Sequence, residues 1–449
     1  MAARIRWVVL QCSVVWLLTN QAAWAVPSFA RQTGLSCDVC HTTYPELTPF
    51  GRIFKLNGYT LTGLSQIESP GGKALKINAV PPLSAMIQIA VTHMAKTEPP
   101  QGAPPAPVQN NSVEFPQQLS FFFAGEISPH MGSFMQFTYD HQKDHFSLDN
   151  TDIRYANHMF LAGEDTIYGL TINNNPTVED PWNDTPAWGF PWASPDIGVH
   201  SAATTIIDGS LAQNVAGLGA YSLWNNEWYG DVTMYRSSTA GVSQPLPQIG
   251  AIDGAAPYWR LAWQHPFGGS YLEIGTFGIH AAFNGGVAGT GRLGMDDRYT
   301  DVAIDSQYER PVGANLLSVH AVVIHERQDL ASSYAAGLVQ STSGSLTTAR
   351  LNGTWHFDKR YATSLGYFAT HGTSDAVLYA PVSLTGSASY SPDTRGWIAQ
   401  ASYLPWENTQ FALQYTAYTE FNGGSGNYDG AGRSAADNNT LYLLAWLVW

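Results

Sequence analysis

The sequence predicts an all-β fold, a 16-stranded antiparallel transmembrane β-barrel that follows a short N-terminal segment. Three observations predict it: few charged residues, repeated alternation of apolar and polar residues, and short connections that alternate with long ones. Of the 449 residues, 44% are hydrophobic and only 12% are charged, whereas soluble domains carry about 25% charged residues. Single barrels commonly exceed the usual domain length of roughly 150 residues, so one barrel is compatible with this chain.

The net charge excludes one class of partner. The chain has 21 basic and 35 acidic side chains, which gives a formal net charge of −14. Nucleic-acid binding depends on many Lys and Arg side chains that neutralise phosphates, so we expect no nucleic-acid partner. We also find no catalytic triad, phosphate-binding loop or dinucleotide motif with supporting context.

Residues 1–25 have the pattern of a secretory signal peptide. Two arginines precede a mostly apolar run at residues 7–18, and small residues at 23 and 25 suit a signal peptidase. The alternative is a membrane anchor, but the run is shorter than the roughly 20 apolar residues that a spanning helix needs. We predict that these residues are removed and that the mature chain begins near Val26.

The only cysteines of the predicted mature chain lie in one motif, Cys37-Asp38-Val39-Cys40-His41. This spacing is typical of covalent c-type haem attachment, in which two thioethers hold the porphyrin and the adjacent imidazole binds the iron. The alternatives are a two-cysteine redox site, a structural disulfide or half of a zinc site. Zinc normally takes four ligands and a thioredoxin-like motif accompanies a βαβ pattern, and neither is evident. The motif therefore predicts one covalent haem c bound by Cys37, Cys40 and His41, with His41 as the metal ligand.

The sixth haem ligand is left open by the sequence. Cytochromes c often use Met or His at this position, and the first candidates after His41 are Met86, His93 and Met94. If residues 84–96 form a strand, Met86 and Met94 share its mixed face, which would look into the barrel. The methionines could instead only pack in the interior, and an open sixth position is also allowed.

The barrel is predicted over residues 84–449, with the first strand at 84–96 and the last ending at Trp449. Residues 407–420 show the pattern, because Phe411, Leu413 and Tyr415 alternate with polar residues. Five short turns alternate with five long connections, predicted at 237–255, 281–298, 327–343, 374–394 and 421–438. The count reaches sixteen strands only if residues 176–213 form one long external loop, although 199–207 looks strand-like.

The loop at 176–213 is rich in Trp, Pro and Asn, and loops of this length are uncommon unless they are functional or disordered. By its place as the third external loop it looks like the constricting loop of general porins, folded into the lumen. The alternative is a surface flap packed on the rim. The proline-rich run 99–107 is expected to be an exposed loop.

Several segments together resemble one known family. These are residues 26–36 (VPSFARQTGLS), the motif at 37–41, 48–55 (TPFGRIFK), 57–60 (NGYT), 173–191 and 437–442 (DNNTLY). They resemble the fused monohaem c-type cytochrome–porin family of the outer membrane, whose best-known members are iron oxidases of iron-oxidising bacteria. The resemblance implies a monohaem cytochrome c plug at residues 26–83, a barrel at 84–449, and electron passage across the bacterial outer membrane.

We expect oxidation of external Fe(II), with the electron passed to a periplasmic carrier from a haem in the lumen or at its periplasmic mouth, although the resemblance itself does not fix the donor. If the protein is an enzyme, it would be an Fe(II) oxidase. The alternatives are an outward electron conduit and a diffusion porin with a structural haem plug. The iron-docking candidate is the polar cluster at residues 140–145, whose alternative is an ordinary solvated loop, and Arg52 and Lys55 are either partners of the haem propionates or simply solvated.

Overall fold

The computed structural model describes residues 26–64, 66–68, 76–97, 110–140, 144–237, 251–284 and 295–449. The predicted signal peptide at 1–25 and the proline-rich run at 99–107 lie outside the described residues. Within the described ranges, no helix is both long enough and apolar enough to cross a bilayer.

The N-terminal segment, which we call the plug, contains three short helices. They are α1 (Pro27–Thr33), α2 (Cys37–Cys40) and α3 (Pro49–Leu56). Helices α1 and α3 each begin with a proline, whose missing amide hydrogen costs nothing in the first turn. The α1 helix ends at Gly34, whose φ of 70° is a left-handed conformation that glycine adopts without strain. Two short paired strands, Gln66–Glu68 and Lys76–Asn78, complete the plug.

Sixteen long antiparallel strands follow the plug, in agreement with the predicted number. They are β1 (Leu83–Met94), β2 (Val113–Ser128), β3 (Met131–Asp140), β4 (His145–Leu161), β5 (Glu164–Asn173), β6 (Val215–Trp224), β7 (Trp228–Ser237), β8 (Ala256–Phe267), β9 (Ser270–Asn284), β10 (Asp296–Val312), β11 (Asn315–Asp329), β12 (Ser343–Phe357), β13 (Tyr361–Gly372), β14 (Thr394–Trp406), β15 (Thr409–Glu420) and β16 (Thr440–Val448). A two-residue strand, Ala251–Ile252, pairs with the end of β9. The connections contain α4 (Ala331–Ala335), a π-helical turn (Ile206–Ser210) and a 3₁₀ turn (Ala435–Asn438).

The sheet closes into a barrel because its first and last strands pair. Strand β1 pairs with β16 from Met86 opposite Val448 to Met94 opposite Thr440. Every other neighbouring pair of these sixteen strands is consecutive in the chain and antiparallel. Closure leaves no unpaired edge, which is what a β-structure in lipid requires.

The two rims of the barrel differ in the length of their connections. One rim, which we call the short-turn rim, carries turns of two or three residues between consecutive strands, for example residues 358–360 and 407–408. The long connections lie at the opposite rim, including residues 373–393 and 421–439. The predicted alternation is therefore confirmed for the described connections, with boundaries shifted by a few residues, whereas most of the predicted connections at 237–255 and 281–298 lies outside the described residues.

Side chains alternate between a polar interior and an apolar exterior along the strands. In β15, Leu413 is 48% exposed on the outside, whereas Gln410 and Gln414 are 2% and 1% exposed on the inside. The predicted faces of residues 407–420 are thus confirmed. This apolar exterior is the surface that a lipid-facing barrel presents.

The connection between β5 and β6, residues 174–214, folds into the lumen as one long loop, which we call the lumen loop. Residues 199–205 are not strand, and the π-helical turn begins at Ile206. The loop reaches the far wall, where the Ile207 amide donates to Asp301 at 3.0 Å. It also reaches the plug, where Asn183 accepts from the Leu47 amide at 2.9 Å. Inward folding, rather than a surface flap, is therefore observed.

Candidate functional site

The cysteine motif is held by short-range contacts within the plug. Its helix α2 is a single turn, in which the His41 amide donates to the Cys37 carbonyl at 2.9 Å. Thr48, which caps α3, donates its amide to the Cys40 carbonyl at 2.9 Å and its hydroxyl to the Val39 carbonyl at 2.5 Å. A side chain at Gly51 would place its Cβ 2.4 Å from the Cys40 carbonyl oxygen. Glycine is therefore required for α3 to approach the motif.

The motif lies at the short-turn rim of the barrel. The Cys37 amide donates to the Glu407 carboxylate at 2.9 Å, and Lys359 donates to Asp38 at 2.7 Å. Both partners belong to short turns. The hydrogen bonds from Lys359 and Ser36 lower the pKa of Asp38 below its ordinary value. These contacts fix the motif against two turns of the barrel wall.

The His41 ring is oriented through its Nδ1 atom. Nδ1 lies 3.2 Å from the Pro45 carbonyl oxygen, which can only accept, so Nδ1 carries the hydrogen. Burial lowers the pKa of His41 from 6.5 to about 4, so the ring is neutral near pH 7. A neutral imidazole oriented through one nitrogen is the form that binds a metal through the other. Nε2 is therefore the ring atom that would bind an iron atom.

Cys37 and Cys40 form no disulfide bond within the described residues. Burial is the main cause that raises the pKa of Cys37 to about 12 and that of Cys40 to about 11. Reactive cysteines in redox motifs have lowered pKa values instead, because a nearby cation or helix terminus stabilises the thiolate. The surroundings therefore disfavour a redox-active dithiol and suit thiols that become thioethers.

A cavity of about 350 Å³ opens beside His41 and Cys40. This volume lies within the range of ligand pockets, about 300–1,000 Å³. The plug, the barrel wall and the lumen loop all contribute to its lining, which is mainly apolar and aromatic. Among the residues that line it are Phe29, Phe54, Tyr59, Met86, Phe122, Phe134, Trp188, Trp192, Trp446 and Val448.

This lining is of the kind that surrounds a flat apolar macrocycle. Of the three predicted haem-binding residues, Cys40 and His41 border the cavity. Cys37 borders a separate cleft at the short-turn rim, which His41 also lines. His41 therefore lies between the interior cavity and the rim.

The three candidate sixth ligands occupy different places. Met86 lines the cavity, as the inward face of β1 predicts. Met94 is 1% exposed and also faces inward, but it lies at the other end of β1 and is not among the residues that line the cavity. His93 faces outward, where its Nδ1 is 2.8 Å from the Asn111 side-chain oxygen. Of the three, only Met86 shares the cavity with His41.

The partners of Arg52 and Lys55 are not those expected, which were haem propionates or solvent. Arg52 is 3% exposed and forms a two-pronged ion pair with Glu309 of β10, with N–O distances of 2.9 and 2.8 Å. Lys55 lines the cavity, but its ammonium donates to the carbonyls of Val178 and Asp180 at 2.6 and 2.8 Å. Both cations fasten α3, one to the barrel wall and the other to the lumen loop.

The iron-docking candidate at residues 140–145 lies where β3 turns into β4. Asp140 and His145 are paired opposite each other at the ends of these strands. His141, Gln142 and Lys143 lie outside the described residues. This hairpin belongs to the rim of the long connections, as predicted.

Glu46, five residues after His41, is a buried carboxylate that the sequence alone does not indicate. Its two oxygens meet His320 at 2.9 Å and His356 at 3.2 Å, and Thr42 donates to it at 2.7 Å. The pKa of Glu46 is well below its ordinary value because the two histidines outweigh the effect of burial. The partners lie more than 270 residues away in sequence, and no local pattern indicates them.

A buried acidic group, which the sequence alone does not indicate, lies where the lumen loop meets the barrel wall. Arg260 of β8 is surrounded by Asp180 and Asp184 of the loop, Glu273 of β9 and Asp305 of β10, at N–O distances of 2.7 to 3.4 Å. Burial and the neighbouring carboxylates raise the pKa of Asp184 well above its ordinary value. Strand alternation indicates that the wall residues face inward, but it does not indicate that they meet.

Comparison with known proteins gives likeness in structure only. Neither a protein-family model nor a curated protein sequence matches this chain. Similar solved structures include OmpT of Vibrio cholerae, with 10% identity and a TM-score of 0.45 over 86% of this chain and 100% of that chain. The outer-membrane channel DcaP of Acinetobacter baumannii has 10% identity and a TM-score of 0.47 over 82% of this chain and 96% of that chain.

An anion-selective porin from Comamonas acidovorans has 10% identity and a TM-score of 0.45 over 82% of this chain and 98% of that chain. The sixteen-stranded barrel described above rests on the strand pairing of this chain itself.

Proposed function

We propose that this protein is an outer-membrane barrel that carries one covalent haem c in its plug and transfers electrons across the membrane. Cys37 and Cys40 would hold the haem and His41 would bind its iron. We further propose that external Fe(II) is the electron donor and that a periplasmic carrier is the acceptor. The observation that carries this proposal is the His41 ring, which is neutral, fixed through Nδ1 and borders an aromatic cavity.

The outer-membrane location is supported by the closed barrel and its apolar exterior. Outer-membrane barrels turn their short connections toward the periplasm. The motif meets the short turns at residues 358–360 and 407–408, so it would lie at the periplasmic mouth. A periplasmic carrier could approach the cleft that Cys37 and His41 share there.

The protein's own residues have three roles in this proposal. Pro45 orients the His41 ring through its carbonyl. Trp188 and Trp192 of the lumen loop line the cavity and would pack against the haem. Lys55 holds the loop in place through two carbonyls and lies 5.1 Å from the Trp188 ring. A bound haem supplies one-electron chemistry, and the protein sets its exposure and axial ligation.

Two alternatives involve the same barrel. A diffusion porin with a structural haem plug is favoured by the sixteen-stranded barrel itself, which is the architecture of general porins. The lumen loop and the plug bury residues such as Trp182 and Lys55 in the interior, but a loop folded into the lumen is also a feature of general porins, so solute flux is the measurement that separates the two readings. An outward electron conduit would use the same residues, and the haem potential would distinguish its direction.

The decisive experiment is rapid mixing of the purified mature protein with Fe(II) while the haem absorption is followed. We expect a c-type spectrum and haem reduction at a rate that rises with Fe(II) concentration. A protein without bound porphyrin would refute the proposal, and an oxidised haem that excess Fe(II) leaves unreduced would remove the iron-oxidase part.

Matched variants distinguish the covalent attachment of the haem from the ligation of its iron. Cys37→Ala and Cys40→Ala should each leave the porphyrin held by one thioether, and only the double variant should lose it in denaturant. His41→Ala should retain the covalent haem but change its axial ligation. Solute flux through liposomes that carry the protein tests the porin alternative. Flux comparable to that of an open porin would favour that alternative over electron transfer.

A further inference from the structure

The acidic group around Arg260 has more charge than its single guanidinium can neutralise. Four carboxylates, from Asp180, Asp184, Glu273 and Asp305, face one arginine, and all five side chains are 0% exposed. Buried like charges repel strongly in the low-dielectric interior. Lys55 is the next cation, but its ammonium is bonded to backbone carbonyls. A further positive charge or bound protons must therefore accompany this group.

The arrangement of the oxygens is compatible with a shared cation. One oxygen from each of Asp184, Glu273 and Asp305 lies within 4.8 Å of the others. Ca²⁺ binds oxygen at about 2.3–2.6 Å, so these oxygens are near the spacing at which one ion contacts all three.

Two oxygens of the group accept no hydrogen bond from the described residues. They are Asp184 Oδ2 and Glu273 Oε2, on side chains that are fully buried. Arg260 donates to the other oxygen of each of these two residues and to both oxygens of Asp305. Unpaired buried carboxylate oxygens are costly, and an unobserved ion is one common explanation.

A glycine keeps open the space in which the carboxylates meet. A Cβ at Gly275 would lie 2.6 Å from Glu273 and 2.7 Å from Asp305 carboxylate oxygens. Any larger residue in this place on β9 would push the two carboxylates away. The wall is thus shaped to bring the acidic oxygens together rather than to separate them.

We propose that Asp184, Glu273 and Asp305 form a binding site for a hard divalent cation, in which the lumen loop supplies one ligand and the barrel wall supplies two. Carboxylate oxygens are the ligands that Mg²⁺, Ca²⁺ and Mn²⁺ prefer. The ion would reduce the excess negative charge and bridge the loop to β9 and β10. Asp180, which also contacts Arg260, lines the cavity beside His41, so the site borders the proposed haem cavity.

The test uses Mn²⁺ as the probe and the purified full-length mature protein in detergent. Electron paramagnetic resonance of free Mn²⁺ gives the number of ions bound per chain. We expect one ion per chain in the wild type, and affinity lower by about tenfold or more in Asp184→Asn and Glu273→Gln, because each removes a charged ligand. Both substitutions keep the shape of the side chain. Folding is checked by gel electrophoresis, because a folded barrel that has not been heated migrates differently from the unfolded chain.

Glu326→Gln is the matched control, because Glu326 is a buried wall carboxylate that accepts from the Ile206 amide of the same loop but lies outside the group. It should leave Mn²⁺ binding unchanged. No Mn²⁺ binding by the wild type, or equal losses in Glu326→Gln, would overturn the proposal and indicate that the carboxylates share protons. The Mn²⁺ readout does not depend on the haem, so it can succeed or fail independently of the proposed electron transfer.

Discussion

At the scale of single residues, the candidate haem site is defined by which side-chain atoms already form hydrogen bonds. His41 has Nδ1 bonded to Pro45, and Met86 is the one candidate sixth ligand that lines the same cavity. Buried side chains such as Arg52 and Lys55 are engaged with the wall and the lumen loop. Met86, which lines the cavity, is therefore a better candidate to contact a cofactor than Arg52 or Lys55, whose charged groups are already bonded.

We predict that Met86→Ala changes the haem absorption spectrum and its ligand-exchange behaviour. The reason is that Met86 alone of the three candidates lines the cavity beside His41. His93→Ala and Met94→Ala are the matched controls, since His93 faces outward and Met94 lies at the far end of β1. Unchanged spectra in Met86→Ala, or changes only in a control variant, would contradict the prediction.

We predict a pH dependence of stability that arises from Lys55. Burial lowers the pKa of Lys55 from 10.5 to about 8. Between these values the folded protein has released the proton while the unfolded chain still holds it, so stability rises with pH across this window. Below pH 8 the full cost of burying the charge is present.

The measurement is the thermal midpoint of barrel unfolding in the wild type and in Lys55→Met from pH 7 to pH 10.5. The wild type should gain stability relative to the variant, by a few kcal/mol at most, since one pKa unit corresponds to about 1.4 kcal/mol. Parallel curves for the two proteins would show that Lys55 is not the source.

At the scale of elements, helix α3 is the point at which the plug is fastened. Arg52 links it to β10 and Lys55 links it to the lumen loop, while the amide of Leu47, just before the helix, meets Asn183. The helix also approaches the cysteine motif closely at Gly51. A change in α3 should therefore reach the motif.

We predict that Arg52→Met destabilises the plug by about 3–5 kcal/mol, because it leaves the Glu309 carboxylate buried without its partner. The double variant Arg52→Met with Glu309→Leu should recover much of the loss, since it removes both charges. Denaturant unfolding followed through the haem absorption measures both. A single variant as stable as the wild type would contradict the assigned role of this ion pair.

The strands could be predicted from sequence because their pattern is local. Alternation over a dozen residues places Leu413 outside and Gln414 inside, and the structure agrees. The contacts across the lumen could not be predicted in this way. Arg260 and Asp184 meet only because the loop folds inward, and Glu46 meets His320 only because the plug has a particular depth in the barrel.

At the scale of the whole molecule, the plug and the barrel share buried polar contacts. Tyr59 donates to Asp152 of β4 at 2.7 Å, and the Leu56 carbonyl accepts from Tyr221 of β6 at 2.8 Å. A chain of about 60 residues buries little apolar surface by itself. The plug thus depends on the wall for both its apolar and its polar partners.

We predict that residues 26–83, expressed alone with haem attached, do not fold cooperatively. Glu46 and Arg52 would lose the partners that they have in the barrel wall. Urea titration followed by circular dichroism should show a gradual change without a sigmoidal transition. A sharp transition at the same midpoint as haem release would refute this dependence.

The last strand contributes to the cavity as well as to barrel closure. Trp446 and Val448 of β16 line the cavity with Cys40 and His41, which lie near the start of the mature chain. The cavity is therefore complete only when β16 has paired with β1. If the protein carries the proposed haem, porphyrin attachment would precede this pairing, because a rigid macrocycle enters an open cavity more easily than an enclosed one.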